Sequence, residues 1–202
     1  NPINLYGATK LASDKLFIAG NAYAGDHNTR FSVVRYGNVM GSRGSIIPFF
    51  LNLKEIGEFP ITDPRMTRFM ITLEAAVKLV WHAFDDMQGG EIYVKKIPSM
   101  AIPDIATAIS ETAKQKTIGI RPGEKIHEQM IGHEDSFYTY EYSSYYKILP
   151  QINNWSKDFN RIKSGKKVTK GFIYNSENNS EWMTISDLKK WIKDNKDIVG
   201  KF

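Results

Sequence analysis

The run Phe31-Ser-Val-Val-Arg-Tyr36 constrains the fold most. It is short, apolar and rich in β-branched residues, as expected of a strand buried in a parallel sheet. A helix is expected just before it. Asn4 can cap its start, and the pattern continues to about Tyr23, with Ala8, Leu11, Ala12, Leu16 and Ala19 as an apolar stripe at helical spacing. Gly25, Asp26, His27 and Asn28 make the intervening turn. Helix, turn and buried strand in that order predict an α/β layer fold. Gly37-Asn-Val-Met-Gly-Ser-Arg-Gly44 follows the strand immediately. Open α/β sheets bind ligands at the C-terminal ends of their strands. Three glycines there would let the backbone approach a ligand, and Asn38, Ser42, Arg43 and Ser45 offer polar contacts. The alternative is an ordinary Gly-rich turn.

Further along, residues 46–56 read as a short helix stopped by Gly57, and Pro60 to Pro64 as a strand entering a turn. A stronger helix is predicted from the Thr72 cap to the Gly89-Gly90 stop, with Ala76, Val77, Val80, Trp81 and Phe84 as its buried stripe. Glu91 to Lys95 reads as a strand, and Pro103 opens another helix with Ile105, Ala106, Ile109 and Ala113 inward. Ile118 to Lys125 reads as a strand and a polar turn, Tyr138 to Pro150 as a hairpin, and residues 156–180 as loop-rich. A last amphipathic helix carries Leu188, Trp191 and Ile192 on one side. His127-Glu128 lacks the second His that a zinc-protease helix would need, and the other histidines show no ligand spacing, so no metal site is expected.

The chain has 202 residues, 42% of them apolar, enough for a substantial core. It contains no run of eighteen apolar residues and no signal-like N-terminus, which predicts a soluble protein without a membrane partner. Cysteine is absent, which excludes disulfides and thiolate metal sites and fits a cytoplasmic location. The net charge of +5 comes from the C-terminal tail: residues 157–202 hold 11 Lys and Arg against 6 Asp and Glu, and residues 1–156 hold 16 of each. No aromatic-interleaved motif accompanies that charge, so nucleic acid is not the expected partner.

Tyr6 and Lys10 lie four residues apart at the start of the first helix, on one face and within reach of a common ligand. A nearby cation favours the phenolate, so the pair could make a tyrosine that takes a proton near neutral pH. The spacing is common, and a solvent-facing helix pair is the competing reading.

Five blocks in order, NPINLYGATKLASDKL, RYGNVMGSRGSIIPFF, PITDPRMTRFMIT, GGEIYVKKIPSM and IGIRPGEKIHEQMI, resemble the UDP-N-acetylglucosamine 4,6-dehydratase (inverting) family. That family is a branch of the extended short-chain dehydrogenase/reductases. The likeness is dense over residues 1 to about 150 and fainter in the tail. It implies the C-terminal portion of such an enzyme. Residues 1–45 would end a Rossmann-like domain and 46–150 would form mostly a smaller substrate domain with interleaved returns to the Rossmann-like sheet. Residues 151–202 would make a basic tail with a terminal helix.

The family chemistry is an oxidation at C4 of the sugar, loss of water across C5 and C6, and a reduction at C6 with inversion at C5. The resemblance implies Tyr6 as the catalytic tyrosine and Lys10 as the lysine that holds the cofactor ribose. It places the backbone at Val39 beside the nicotinamide and Asn38 against substrate. Arg43, Gly44, Ser45, Ile46 and Ile47 correspond to the loop on the UDP-sugar, Thr62 to a uridine contact, Arg68 and Arg121 to nucleotide diphosphate contacts, and Glu124 to a ribose contact. The implied cofactor is NADP, with NAD possible. The implied partner is a UDP-sugar in a homo-oligomer whose product feeds pseudaminic acid and surface or flagellar glycans.

The 15 glycines include no G-x-G-x-x-G, and the family's Asp-Lys acid–base pair would precede Asn1. These 202 residues alone are therefore expected to show no dehydratase turnover. A sugar-nucleotide epimerase or reductase of the same superfamily, and a non-catalytic UDP-sugar-binding module, are the alternative readings.

Overall fold

The computed structural model describes residues 2–25, 27–151 and 158–200. Asp26 of the predicted turn and residues 152–157 of the predicted tail lie outside them. The elements run α1 (Leu5–Tyr23), β1 (Val33–Arg35), β2 (Asn38–Val39), α2 (Ile46–Leu53), β3 (Glu58–Ile61), β4 (Thr67–Ile71) and α3 (Leu73–Asp86). Then come β5 (Ile92–Lys95), β6 (Ser99–Ala101), α4 (Ile102–Ile109), β7 (Lys114–Thr117) and β8 (Gln129–Ile131). The chain ends with β9 (Thr139–Glu141), β10 (Tyr145–Ile148), α5 (Phe159–Ile162), β11 (Lys166–Lys167), β12 (Tyr174–Asn175) and α6 (Ile185–Asp194). The α/β class expected from the sequence is the class observed. No helix among the described residues is long and apolar enough to cross a membrane.

The chain divides into two compact units with interleaved boundaries. One holds residues 1–36, 74–96 and 129–174; the other holds 37–73, 97–128 and 175–202. The basic tail is thus shared between them.

The first unit is built on a five-stranded mixed sheet in the order β1-β5-β10-β9-β11. β1 runs parallel to β5, with Val34 opposite Tyr93, and β10 is antiparallel to both β5 and β9. β9 and β10 are the predicted hairpin. Asn4 caps α1 as expected, its side chain accepting from the Gly7 N–H. The far end of α1 is tied by Asn21, which accepts from Phe31 N and donates to Phe31 O, both at 3.0 Å. Arg35 in β1 donates to Asp14 of α1 at 2.8 Å, to the Met130 carbonyl at 2.8 Å and to Asp135 at 3.0 Å.

Two predicted stripes in this unit need correction. Leu11, Leu16 and Phe17 of α1 are exposed, and the helix turns Ser13, Asp14, Ile18, Ala19, Gly20 and Asn21 inward. The Asp14–Arg35 pair and the Asn21–Phe31 hydrogen bonds set that rotation, so polar groups rather than the leucines face β1. In α3 the buried residues are Ala76, Leu79 and Ala83, of which Leu79 and Ala83 pack with Tyr93, while Trp81 and Phe84 are 64% and 60% exposed. α3 is apolar over most of its circumference, and the small side chains allow its backbone a close approach to the core.

The second unit holds the larger core, in which Ile47, Phe50, Phe59, Ile61, Met70, Met100, Ile105 and Leu188 pack together. β2 pairs parallel with β4, β4 antiparallel with β6, and β3 parallel with β7. α2 and a following 3-10 turn end at Gly57, whose φ of 72° is the left-handed stop expected there. β7 occupies 114–117, so the predicted strand at Ile118–Ile120 is displaced toward the N-terminus. The Lys114 N–H donates to the Gly57 carbonyl and sets that register. α4 ends at Ile109, and Ala113 packs from the turn that follows rather than from the helix. α6 carries a full capping box, with Thr184 and Asp187 each accepting from the other's backbone N–H.

Candidate nucleotide-sugar site

The sequence-predicted residues of the second unit converge on one cavity of about 330 Å³. Asn38, Gly44, Ile46, Thr62, Arg68, Arg121 and Glu124 all line it, although they come from three separate stretches of chain, 38–46, 62–68 and 121–124. Phe49, Phe50, Pro60, Met66 and Ile102 complete its apolar walls. Asn38 is delivered by β2, Gly44 and Ile46 by the entry to α2, Thr62 by the exit of β3, Arg68 by β4, and Arg121 and Glu124 by one turn after β7.

Three residues of the predicted ligand loop are placed differently. Ile47 is 1% exposed, because one residue along a helix turns the side chain by about 100°, and it joins Phe50 in the core while Ile46 faces the cavity. Ser45 precedes the first residue of α2 and makes no side-chain cap, and its hydroxyl is buried without a hydrogen-bond partner. Arg43 is exposed beside the cavity-lining Gly44. The glycines also differ in purpose. Gly37 lies against Phe69 and Gly41 against Trp191, so both make room for protein, and only Gly44 borders the cavity. The Val39 carbonyl accepts from the Ser42 N–H at 3.2 Å and closes the turn after β2.

Arg121 is mostly exposed and stands 3.9 Å from the Glu124 carboxylate, which also accepts from the Arg121 backbone N–H at 3.2 Å. Arg68 is far more constrained. Its guanidinium donates to the carbonyls of Thr67 at 2.7 Å, Ile126 at 3.0 Å and Lys125 at 3.0 Å. Most of its donors are thus spent on holding segment 125–128 against β4. Arg121 has the freer fork for an anion.

Behind Arg68 lies a polar knot that the sequence did not announce. The Thr67 hydroxyl is 2.8 Å from His127 Nδ1 and 2.7 Å from the Ser176 hydroxyl. Ser176, fully buried, accepts from the Glu128 N–H at 2.9 Å and donates its own N–H to the Glu128 carbonyl at 2.8 Å. The Glu128 side chain accepts from the Phe69 N–H at 3.0 Å. The Asn38 amide, with its nitrogen toward this carboxylate, donates to both oxygens at 2.9 and 3.0 Å. Burial pushes the Glu128 carboxyl above its ordinary pKa, against the opposing pull of the Phe69 N–H, Arg68 and Lys125. His127-Glu128 stood out in the sequence only as a failed zinc motif, and Ser176 carried no signal at all. Ser176→Ala leaves the Glu128 N–H and the Thr67 hydroxyl short of a partner. It is expected to cost about 1–3 kcal/mol, measured as a lower urea midpoint.

Tyr6 and Lys10 stand in the first unit, on one side of α1. Tyr6 is 72% exposed, and the Lys10 ammonium lies 5.3 Å from its ring centroid, over the ring. The predicted pair on one helical face is therefore present.

The family model described as polysaccharide biosynthesis protein matches residues 1–150. The chain belongs to the polysaccharide biosynthesis protein family. Among its relatives, a protein of Campylobacter jejuni subsp. jejuni named UDP-N-acetylglucosamine 4,6-dehydratase (inverting) is 54% identical over 195 residues, covering 93% of this chain and 58% of its own length. A protein of Rickettsia akari named UDP-glucose 4-epimerase is 37% identical over 94% of this chain and 57% of its own. The solved structure of Pen from Bacillus thuringiensis superposes with a TM-score of 0.82 at 32% identity, covering 98% of this chain and 59% of that one. The chain thus spans a little under three fifths of the length of the relatives it matches. Within the family portion, 1–150, fall Tyr6, Lys10 and every residue that lines the cavity.

Proposed function

We propose that this chain forms the sugar-nucleotide-binding portion of a UDP-N-acetylglucosamine 4,6-dehydratase that inverts C5. The observation that carries the reading is the single cavity lined by Asn38, Gly44, Thr62, Arg68, Arg121 and Glu124. Arginine offers the planar fork that suits a diphosphate, and Arg121 is the one with donors to spare. Glu124 can accept from ribose hydroxyls, and Phe49, 45% exposed, offers an apolar face to a base. The higher identity to the dehydratase than to the epimerase, 54% against 37%, favours dehydration over epimerisation.

Tyr6 and Lys10 would serve the nicotinamide cofactor, most simply NADP. A phenol and an ammonium one helical turn apart are the donor set that a ribose and a reacting alcohol require, and their exposure leaves them accessible. When bound, the cofactor supplies hydride exchange with the sugar carbons. The part of this chain is to bind the diphosphate through Arg121, to orient the sugar at Asn38, and to pass a proton through the Tyr6 hydroxyl with Lys10 beside it. By analogy with the family, the working assembly would be a homo-oligomer that feeds surface-glycan synthesis.

Calorimetry with the 202-residue chain tests the reading. UDP and UDP-N-acetylglucosamine are expected to bind, and Arg121→Ala to weaken both by about tenfold or more, the loss of a charge-assisted contact. Failure of the unaltered chain to bind either nucleotide would overturn it.

A further inference from the structure

We propose that the outer edge of β1, with the apolar helix faces on either side of it, is a docking surface for a parallel strand of a separate α/β polypeptide, so that the two parts assemble without a covalent link. The partner that fits is the part by which the relatives exceed this chain. The inference rests on the geometry of the first unit and not on the sugar-nucleotide reading above.

β1 stands at one end of its sheet, and among the described residues no strand pairs with its outer side. β5 takes the inner side, where the Val33 N–H donates to the Glu91 carbonyl at 2.9 Å. Backbone groups alternate in direction along a strand, so the N–H and C=O of Val34 point outward. Natural edges are guarded by Lys, by Pro or by a covering element. Ser32-Val-Val-Arg-Tyr36 holds no Lys and no Pro. Its one charge, Arg35, is tied back to Asp14 and Asp135. β1 and β5 are also parallel, and parallel sheets are ordinarily covered on both faces.

The helices on those faces carry apolar groups to the same edge. Arg35 reaches α1 on one face, and Val34 packs with Leu79 and Ala83 of α3 on the other. Beside α1, Leu16 is 72% and Phe17 51% exposed, around a cavity of about 460 Å³. A second cavity of about 230 Å³ is lined by Val34 of β1 and by Val80, Phe84 and Met87 beside it, and the two cavities share Phe17 and Phe31. Single exposed apolar side chains need no partner, but a bare strand edge between two continuous apolar cavities does. An apolar parallel strand with a helix on each face would pair with Val34 and fill both. The Campylobacter and Bacillus relatives hold about two fifths of their length outside the stretch that this chain matches, enough for several such elements.

The test uses a cleavable fusion. The stretch of the Campylobacter jejuni relative that this chain does not match is placed ahead of the 202 residues through a linker with a protease site, and the linker is cut after folding. Sedimentation is expected to show the two polypeptides still together as a one-to-one complex. Phe84→Glu puts a charge on the exposed helix face, and Val34→Pro removes the outward N–H while Val33 keeps its bond to β5. Each is expected to weaken the complex by about tenfold or more. In the 202-residue chain alone, amide hydrogen exchange is expected to be fast at Val34 and slow at Val33, with Val34 becoming protected in the complex. Separation of the cut polypeptides, retention of both variants, or a Val34 amide already protected in the chain alone would overturn the proposal. The last of these, with a doubled mass, would assign the edge to a second copy of the chain instead.

Discussion

Asp86→Ala is expected to lower the stability of the first unit by about 3–5 kcal/mol, the scale for stranding one partner of a buried ion pair. The Asp86 side chain is 7% exposed and the Lys147 side chain 1%, and the two are in direct contact. Asp86 also accepts from the Tyr93 hydroxyl at 2.9 Å and from Lys163 at 2.5 Å. The Lys147 ammonium further donates to the Arg161 carbonyl at 2.9 Å and lies over the rings of Tyr93 and Tyr142. Removing the carboxylate leaves a buried ammonium with one carbonyl and two ring faces. Burial pushes the Asp86 carboxyl up, but the bonds from Lys147, Lys163 and Tyr93 outweigh it and hold the pKa at about 2.

The folded pKa is lower than the ordinary 3.8, so the unfolded chain binds the proton more readily. The stabilisation is therefore complete above about pH 4 and lost as the pH falls toward 2. It amounts to about 2 kcal/mol from the shift alone. Urea unfolding of the unaltered chain between about pH 6 and 3 should show roughly half of that loss, the rest falling below pH 3, and Asp86→Ala should flatten that part of the profile. Lys147→Met in the Asp86→Ala background is expected to recover a large part of the midpoint, because it removes the stranded charge. A single-variant loss below about 1 kcal/mol would show that the pair is solvated in solution.

Local chemistry was legible where the chain itself closes the contact. The Asn4 cap, the Gly57 stop, the terminal helix and the hairpin expected over Tyr138 to Pro150 all involve neighbours in sequence, and all are where the residues put them. The face that a helix buries was harder. α3 presents Val77, Trp81 and Phe84 on one side and Ala76, Leu79 and Ala83 on another, and periodicity alone does not choose between two apolar faces. The strand it packs beside made the choice. The cavity residues were found through the resemblance of whole blocks, since nothing in the spacing of Thr62 and Arg121 announces that they meet. Glu128 and Ser176 escaped for the same reason. Their partners Asn38 and Thr67 lie 90 and 109 residues away, and a polar knot of that kind has no local pattern.

Gly37→Ala is expected to be the most damaging single methyl group in the second unit. A Cβ at Gly37 would sit 2.4 Å from the Phe69 Cβ, 2.7 Å from its carbonyl oxygen and 3.0 Å from its carbonyl carbon. Two of these atoms are backbone, so no rotamer change relieves the contact, and β2 must lift away from β4. Lifting opens the register that sets Asn38 opposite Met70 and Val39 opposite Ile71, together with the bond from the Met40 N–H to the Ile71 carbonyl at 2.8 Å. It also draws the Asn38 amide off Glu128, and hence off the cavity wall. Overpacking of this kind costs about 1–3 kcal/mol, and more when backbone must move, so a loss of about 3 kcal/mol is expected in urea. Nucleotide affinity should fall with it even at temperatures where the variant stays folded. Gly57→Ala is the control. That residue has φ 72° with nothing within 4 Å of a methyl group added there, so it should cost only the left-handed strain of about 1–2 kcal/mol and leave binding intact. Equal binding by the two variants would mean that the β2–β4 contact does not position Asn38.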